Sequence, residues 1–348
     1  MSQVSLAPLA DTSRTSARAA TPRLRAANAP PQVAPGSAPG DVVQLTLTPR
    51  QQALRRLEGK LAAEAGLPLQ PETHSRLLVH PTPTGKGTVV LLHGWSAATY
   101  QYDEMAALLH AKGYDVYVPR LVGHGFRTED GRQDSSKMVK AGEAMRYRAF
   151  GDEVYEDVKD LGQPLQVVGL SGGGNIALDM ATRHPDIKGA VVMAPFLGSA
   201  DGRARAGHHL MRFLDFFTFG LAGRLLEKMP HDWGKRPPDG PGHWNHTVGG
   251  IYALACYGDT VVADMHRNQV PLQFILTDAD KAARNKLAEV AHERSGGSSR
   301  NGMFRFPASE EVPHPMVSIR NNKNQASIDR LTAVTVDFLE NGKLSNQP

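Results

Sequence analysis

Leu165-Gln166-Val167-Val168-Gly169-Leu170-Ser171-Gly172-Gly173-Gly174-Asn175-Ile176-Ala177 is the stretch that decides the fold. Its first five residues form a short β-rich run, and Ile176, Ala177 and Met180 then recur at the spacing of a helix facing a sheet, toward Arg183. A serine therefore stands where a strand gives way to a helix. Gly169-Leu170-Ser171-Gly172-Gly173 alone is a weak pattern in a chain with 34 glycines. Its placement gives it meaning. A serine hydroxyl is a poor nucleophile until a base takes its proton, so it must project from the sheet edge on a sharp turn. Flanking glycines let strand and helix pass closely, and the helix N-terminus favours negative charge developing nearby.

Outward from this turn, further apolar runs read as buried strands at residues 88–92, 114–118, 190–193, 272–276 and 303–306, beside 165–169 itself. Helical patterns separate most of them: residues 98–112 with Met105, Leu108 and Leu109, and 172–183. A terminal helix is marked by Ile328, Leu331, Val334 and Phe338. Alternation of this kind predicts an α/β fold with a doubly wound, mostly parallel sheet covered on both faces. Leu54, Leu57 and Leu61 predict a helix near the start of the ordered domain, taken as residues 46–348. Residues 1–45, rich in Ala, Ser, Thr and Pro with scattered Arg, are expected to be a solvated tail, an organellar transit segment being the other reading.

One connection is too long for a simple crossover. Residues 197–268 lie between two strands and carry Phe213, Phe216, Phe217, Phe219, Trp233 and Trp244, which predicts a cap whose aromatics either line a pocket or form its own small core. His208, His209, His231, His243 and His246 also fall there, and their spacing matches no metal-ligand motif; they are expected to be exposed loop histidines, and no metal is expected.

Composition narrows the function classes. A 41% apolar content supports a sizeable core, while a net charge of +4 with no basic helical face argues against nucleic acid as a partner. The single cysteine, Cys256, forms no internal disulfide and reads as a small buried residue. No run approaches the length of a transmembrane helix, and a cytoplasmic location is expected. Upstream, the run 89–92 ends in His93-Gly94-Trp95. The backbone N–H of Trp95 and that of Gly172 are the candidates to hold an oxyanion, with His93 taken as a loop-shaping residue.

Leu91-Leu92-His93-Gly94-Trp95, Lys112-Gly113-Tyr114-Asp115-Val116, Gly123-His124-Gly125 and the Ser171 turn together resemble the carboxylesterase and monoacylglycerol-lipase branch of the α/β-hydrolase superfamily. The resemblance runs from about Gly87 to Pro195, resumes at Val270 and is lost between them. It implies the α/β-hydrolase fold, a Ser-Asp-His triad, no cofactor, and a small-molecule ester with an apolar acyl group as substrate. Gly172 stands where a larger residue such as Met is frequent in that branch, which implies a looser oxyanion turn.

In that fold the triad follows the order serine, acid, histidine, so the base must follow the strand at 272–276. His292 falls in the helical run 284–294, leaving His314 in Val312-Pro313-His314-Pro315 as the base. Thr277-Asp278-Ala279-Asp280 offers two carboxylates on one turn. Family spacing implies Asp280, with Asp278 the alternative and Asp259 a third choice. Thioesterases, amidases or peptidases and C–C hydrolases use the same triad, and a non-catalytic protein binding an apolar ligand is a further alternative. Acyl-chain length, alcohol and oligomeric state are not legible.

Overall fold

Along strand β2 (Thr88–Leu92) the side chains alternate between two cores: Val89 and Leu91 join one apolar cluster, Val90 and Leu92 another. Period-two alternation puts successive residues on opposite faces, so a strand apolar throughout must be covered on both. The protein is described here by a computed structural model that covers residues 47–232, 242 and 245–346. The chain divides into two units, Met1–Thr46 and Leu47–Pro348. The expected tail lies outside the described residues, as do Trp233, Trp244 and His243.

The main sheet has seven strands in the order β1-β3-β2-β4-β5-β8-β9, with β1 Arg76–Leu78, β3 Asp115–Val118, β4 Leu165–Leu170, β5 Gly189–Met193, β8 Leu272–Thr277 and β9 Gly302–Phe306. All neighbours run parallel except β1, which pairs antiparallel with β3. Strands β2 to β5 and β8 are buried end to end, whereas β9 alternates and β1 is half-buried, as edges do. The six expected strands are present, with ends shifted by one residue at most. The three-residue β1 was not anticipated.

Helices α1 (Pro49–Ala65), α3 (Met145–Val158), α4 (Gly172–Arg183) and α8 (Asn285–Arg294) supply the core on the Val90 and Leu92 face. Helices α2 (Asp103–Ala111) and α9 (Gln325–Asn341) supply it on the other. The start of α1 is set locally: Thr48 and Gln51 form a capping box and Pro49 occupies the first turn. The helix expected at 98–112 begins as a 3₁₀ turn, Thr99–Tyr102, before α2, and Leu108 points to solvent rather than to the sheet. Among the described residues no helix is long and apolar enough to cross a membrane.

Between β5 and β8 lie α5 (Gly202–Thr218), α6 (Leu221–Leu225), an antiparallel ribbon of β6 (Pro230–Asp232) and β7 (Asn245–Thr247), and α7 (Val248–Asp264). Helix α7 is built into the main core: Ala253, Tyr257 and Val261 are buried with Ile176 and Ala177 of α4, against which it packs. Helix α5 buries none of its residues. Neither expectation for the aromatics holds where the structure describes them, because Phe213, Phe216, Phe217 and Phe219 all face solvent. The histidines differ from expectation too: His208 and His209 lie on α5, and His246, on β7, is buried with its ring 4.1 Å from that of Trp95.

Candidate active site

Four strand ends meet at one edge of the sheet. Chain leaving the carboxyl ends of β2, β4, β8 and β9 carries Trp95, Ser171, Asp280 and His314, the position where parallel α/β sheets place ligands.

Ser171 stands between β4 and α4 with φ +56° and ψ −119°. A non-glycine residue there costs on the order of 1–3 kcal/mol and persists only where packing enforces it. The enforcement is visible. Ser171 N–H donates to Met193 O at 2.9 Å, and its carbonyl accepts from Asn175 and Phe196 N–H. A Cβ on Gly173 would sit 2.1 Å from Leu92 O, so only glycine lets α4 start this close to the end of β2. The residue is 8% exposed, and its exposure is toward a cavity of about 180 Å³ lined also by Trp95, Gln101, Phe196, Leu254 and His314.

His314 Nδ1 lies 2.7 Å from Asp280 Oδ2. The carboxylate is 1% exposed and is held on its other oxygen by the N–H groups of Ala282 and Ala283, at 2.7 and 2.9 Å. The histidine loop is tied to the end of β8 by Thr277 Oγ1, which donates to Val312 O at 2.8 Å. Asp278 points elsewhere: its Oδ1 accepts from Arg305 Nε and Nη2 at 3.0 and 2.6 Å. Asp259 lies on α7 and accepts from His208 and Arg212. His292 packs edge-on against Phe274. Of the three aspartates and two histidines weighed, the structure brings together Asp280 and His314.

The loop after β2 is braced from several sides. Gly94 N–H donates to Gln101 Oε1 at 2.7 Å, Trp95 Nε1 donates to Tyr147 Oη at 2.7 Å, and His124 Nε2 meets Trp95 O. His93 Nε2 accepts from Leu121 N–H at 3.1 Å, which leaves its proton on Nδ1, 2.9 Å from Gly94 O. Burial, with His124 and Arg120 nearby, pushes the His93 pKa well below its ordinary value, so this imidazole is a neutral brace. His124, equally buried, is lowered to about 4. Gln101, Tyr147 and the bracing role of His124 were missed in the sequence; no pattern marks a side chain whose task is to hold a neighbouring loop.

The expectation of a loose oxyanion turn at Gly172 is overturned. A Cβ there would lie 2.9 Å from Trp95 Cβ and 3.4 Å from Trp95 N. Trp95 fills the room that a larger residue would take, and the contact sets the Trp95 amide beside the first turn of α4. First-turn N–H groups have no partner inside their own helix, which suits them to accept an anion. Adjoining this cavity, and sharing Phe196, Ile251 and Ala282 with it, is a second of about 560 Å³ roofed by α5 and floored by α7.

A family model described as Hydrolase_4, serine aminopeptidase, S33, matches residues 83–301. A thermostable monoacylglycerol lipase of Bacillus sp. (strain H-257) is 33% identical over 149 residues, which are 41% of this chain and 55% of the relative, so the match spans about half of that protein. The solved structure of a Paleococcus ferrophilus monoacylglycerol lipase is similar with a TM-score of 0.56 at 19% identity, over 78% of this chain and 100% of that one. A soluble variant of monoglyceride lipase from Saccharomyces cerevisiae gives 0.57 at 16%, over 77% and 92%. These likenesses show the fold, and the match over residues 83–301 shows the family: the chain is an α/β-hydrolase belonging to the Hydrolase_4 (serine aminopeptidase, S33) family.

Proposed function

We propose that the protein hydrolyses carboxylic esters with an apolar acyl group through Ser171, Asp280 and His314. The observation that carries this reading is the 2.7 Å bond between His314 and a buried Asp280 in a loop whose histidine lines the same cavity as Ser171. With Nδ1–H held by the carboxylate, the free lone pair of the imidazole lies on Nε2, where it takes the Ser171 proton as the hydroxyl attacks the ester carbonyl. The N–H groups of Trp95 and Gly172 hold the oxyanion of the tetrahedral intermediate. His314 then gives its proton to the leaving alcohol, and water cleaves the acyl-enzyme by the same steps in reverse.

The segment between β5 and β8 acts as a cap, and the 560 Å³ cavity beneath α5 receives the acyl chain; Leu197, Met211, Leu226, Val248 and Leu287 give it an apolar lining. The relative described as a monoacylglycerol lipase supports ester over amide, while the family description, an aminopeptidase, favours an amide. A fluorophosphonate probe is expected to label the native protein and not Ser171→Ala. A chain-length series of nitrophenyl esters beside matched amides and thioesters then decides the bond: faster turnover of the esters is expected, and a preference for amides overturns the ester reading while leaving the three residues in place.

A further inference from the structure

Two turns bonded to each other at the carboxyl ends of β5 and β8 gather three cations that no acid meets. Ala200 N–H donates to Ala282 O at 2.8 Å and Arg284 N–H to Gly198 O at 2.9 Å, so the two turns run side by side. Arg205, Lys281 and Arg284 stand on or beside them, and all three line the 560 Å³ cavity. Arg205 Nη1 donates to the carbonyls of Ser199 and Ala200, at 3.2 and 2.5 Å, which fixes the guanidinium and leaves its charge without a counter-ion. Among the described residues none of the three pairs with a carboxylate. Arginines elsewhere in the fold do: Arg148 binds Asp179 and Asp264, Arg305 binds Asp278 and Glu289, and Arg320 binds Glu72. The acids beside this cavity are engaged otherwise. Asp201 caps α5 through Ala204 N–H at 2.7 Å, and Asp259 accepts from His208 and Arg212.

Arg205 and Arg284 are half-buried, and Lys281 is exposed. A cation partly withdrawn from water and given no counter-ion keeps its field, and the low-dielectric walls of a cleft focus that field on whatever enters. The rest of the lining is largely apolar, as described above. A ligand that fits both parts is an apolar chain bearing an anion, and a guanidinium matches a carboxylate with paired N–H groups. Ala282, which lines both this cavity and that of Ser171, lies between Lys281 and Arg284 in the sequence, so the cations stand close to where the two cavities join. We infer that the acyl group carries a carboxylate, the substrates being half-esters of dicarboxylic acids that Arg284 and Lys281 select, with Arg205 fixed beside them. The inference rests on the ester reading and deepens it by naming the acyl group that the cavity takes.

The test sets nitrophenyl half-esters of adipic, suberic and sebacic acids beside the nitrophenyl esters of hexanoic, octanoic and decanoic acids, which match them in length. At low salt at least one half-ester is expected to exceed its neutral counterpart about tenfold or more in kcat/KM, and the advantage should shrink at high salt. Lys281→Glu/Arg284→Glu is expected to reverse that preference and Arg284→Lys to keep the greater part of it; the ratio of the two esters is the readout. No preferred half-ester, or a preference that survives charge reversal, overturns the inference. Calorimetry with suberate and octanoate as probes needs no turnover, so it decides the matter if the reversed variant fails to fold or if no ester is hydrolysed. Suberate is expected to bind the native protein about tenfold more tightly than octanoate and to lose that margin in Arg284→Gln. Equal binding of the two acids, or a margin unchanged in that variant, overturns the inference. Tight suberate binding without hydrolysis of any ester supports the carboxylate site and overturns only the ester reading.

Discussion

Two neighbouring regions of this molecule use the same residue types in opposite ways. At the sheet edge Ser171, His93, His124 and Trp95 are buried, and the strained backbone at Ser171 is held by hydrogen bonds from three directions. On α5, a short distance along the chain, phenylalanines are left in solvent while arginine, histidine and aspartate face the protein. The difference separates two sources of constraint. The edge of the sheet is determined by what the fold packs against itself. The outer face of α5 contributes nothing to the core, so packing inside the fold does not determine its composition.

Substitutions at the sheet edge should act on turnover, and those on the α5 face should leave both turnover and stability alone. The largest effect is expected at the proposed nucleophile: Ser171→Ala should lower kcat by about 10⁴-fold or more without moving the thermal midpoint downward, read in ester hydrolysis. A residual rate near the native one would remove Ser171 from the chemistry. Next comes the pair of acids. Asp280→Asn should reduce kcat by about 10³- to 10⁴-fold, because the imidazole loses the partner that fixes its tautomer, while Asp278→Asn stays within about threefold. Equal losses would break the geometric distinction between them.

A smaller effect concerns the two buried histidines of the edge. Both are lowered, so the native protein binds fewer protons than the unfolded chain below the unperturbed value, and stability falls as pH drops from about 6.5 toward 4. The loss should approach about 1.4 kcal/mol per pH unit for each histidine, measured by urea unfolding. His124→Gln, which keeps a donor toward Trp95 O, should flatten the slope; an unchanged slope would show that His124 is not its source. The smallest change is expected on α5: Phe216→Ser should shift stability by no more than about 0.5 kcal/mol. A loss of 2 kcal/mol or more, on the order of a core truncation, would mean that the face is packed after all.

The parts of this fold legible in the sequence are those governed by local repeat. Strands β2, β4, β5 and β8 announce themselves because a strand covered on both faces is apolar throughout, and α4 and α9 because their periodicity is strong. Helix α3 went unseen: Met145-Arg146-Tyr147-Arg148-Ala149-Phe150 alternates charge with apolar residues and buries only part of one side. Strand β1 is too short to carry any period. Asp259, the third choice because it precedes the strand at 272–276, lies within α7 and pairs with His208 and Arg212, a placement no local pattern announced.

The sequence by itself determined the strand-turn-helix around Ser171 and the order in which Ser171, the Asp278–Asp280 turn and His314 follow one another, because both are properties of short stretches and chain order. Only the tertiary structure gives the two aspartates different partners: Arg305, brought alongside by the β8–β9 pairing, binds Asp278, and Asp280 lies against His314, which supports the acid that family spacing implies. It alone decided the sense of α5 as well. A period of 3.6 residues says that Phe213 and Phe217 share a face, but a helix carries no information about which way that face is turned until something packs against the other side.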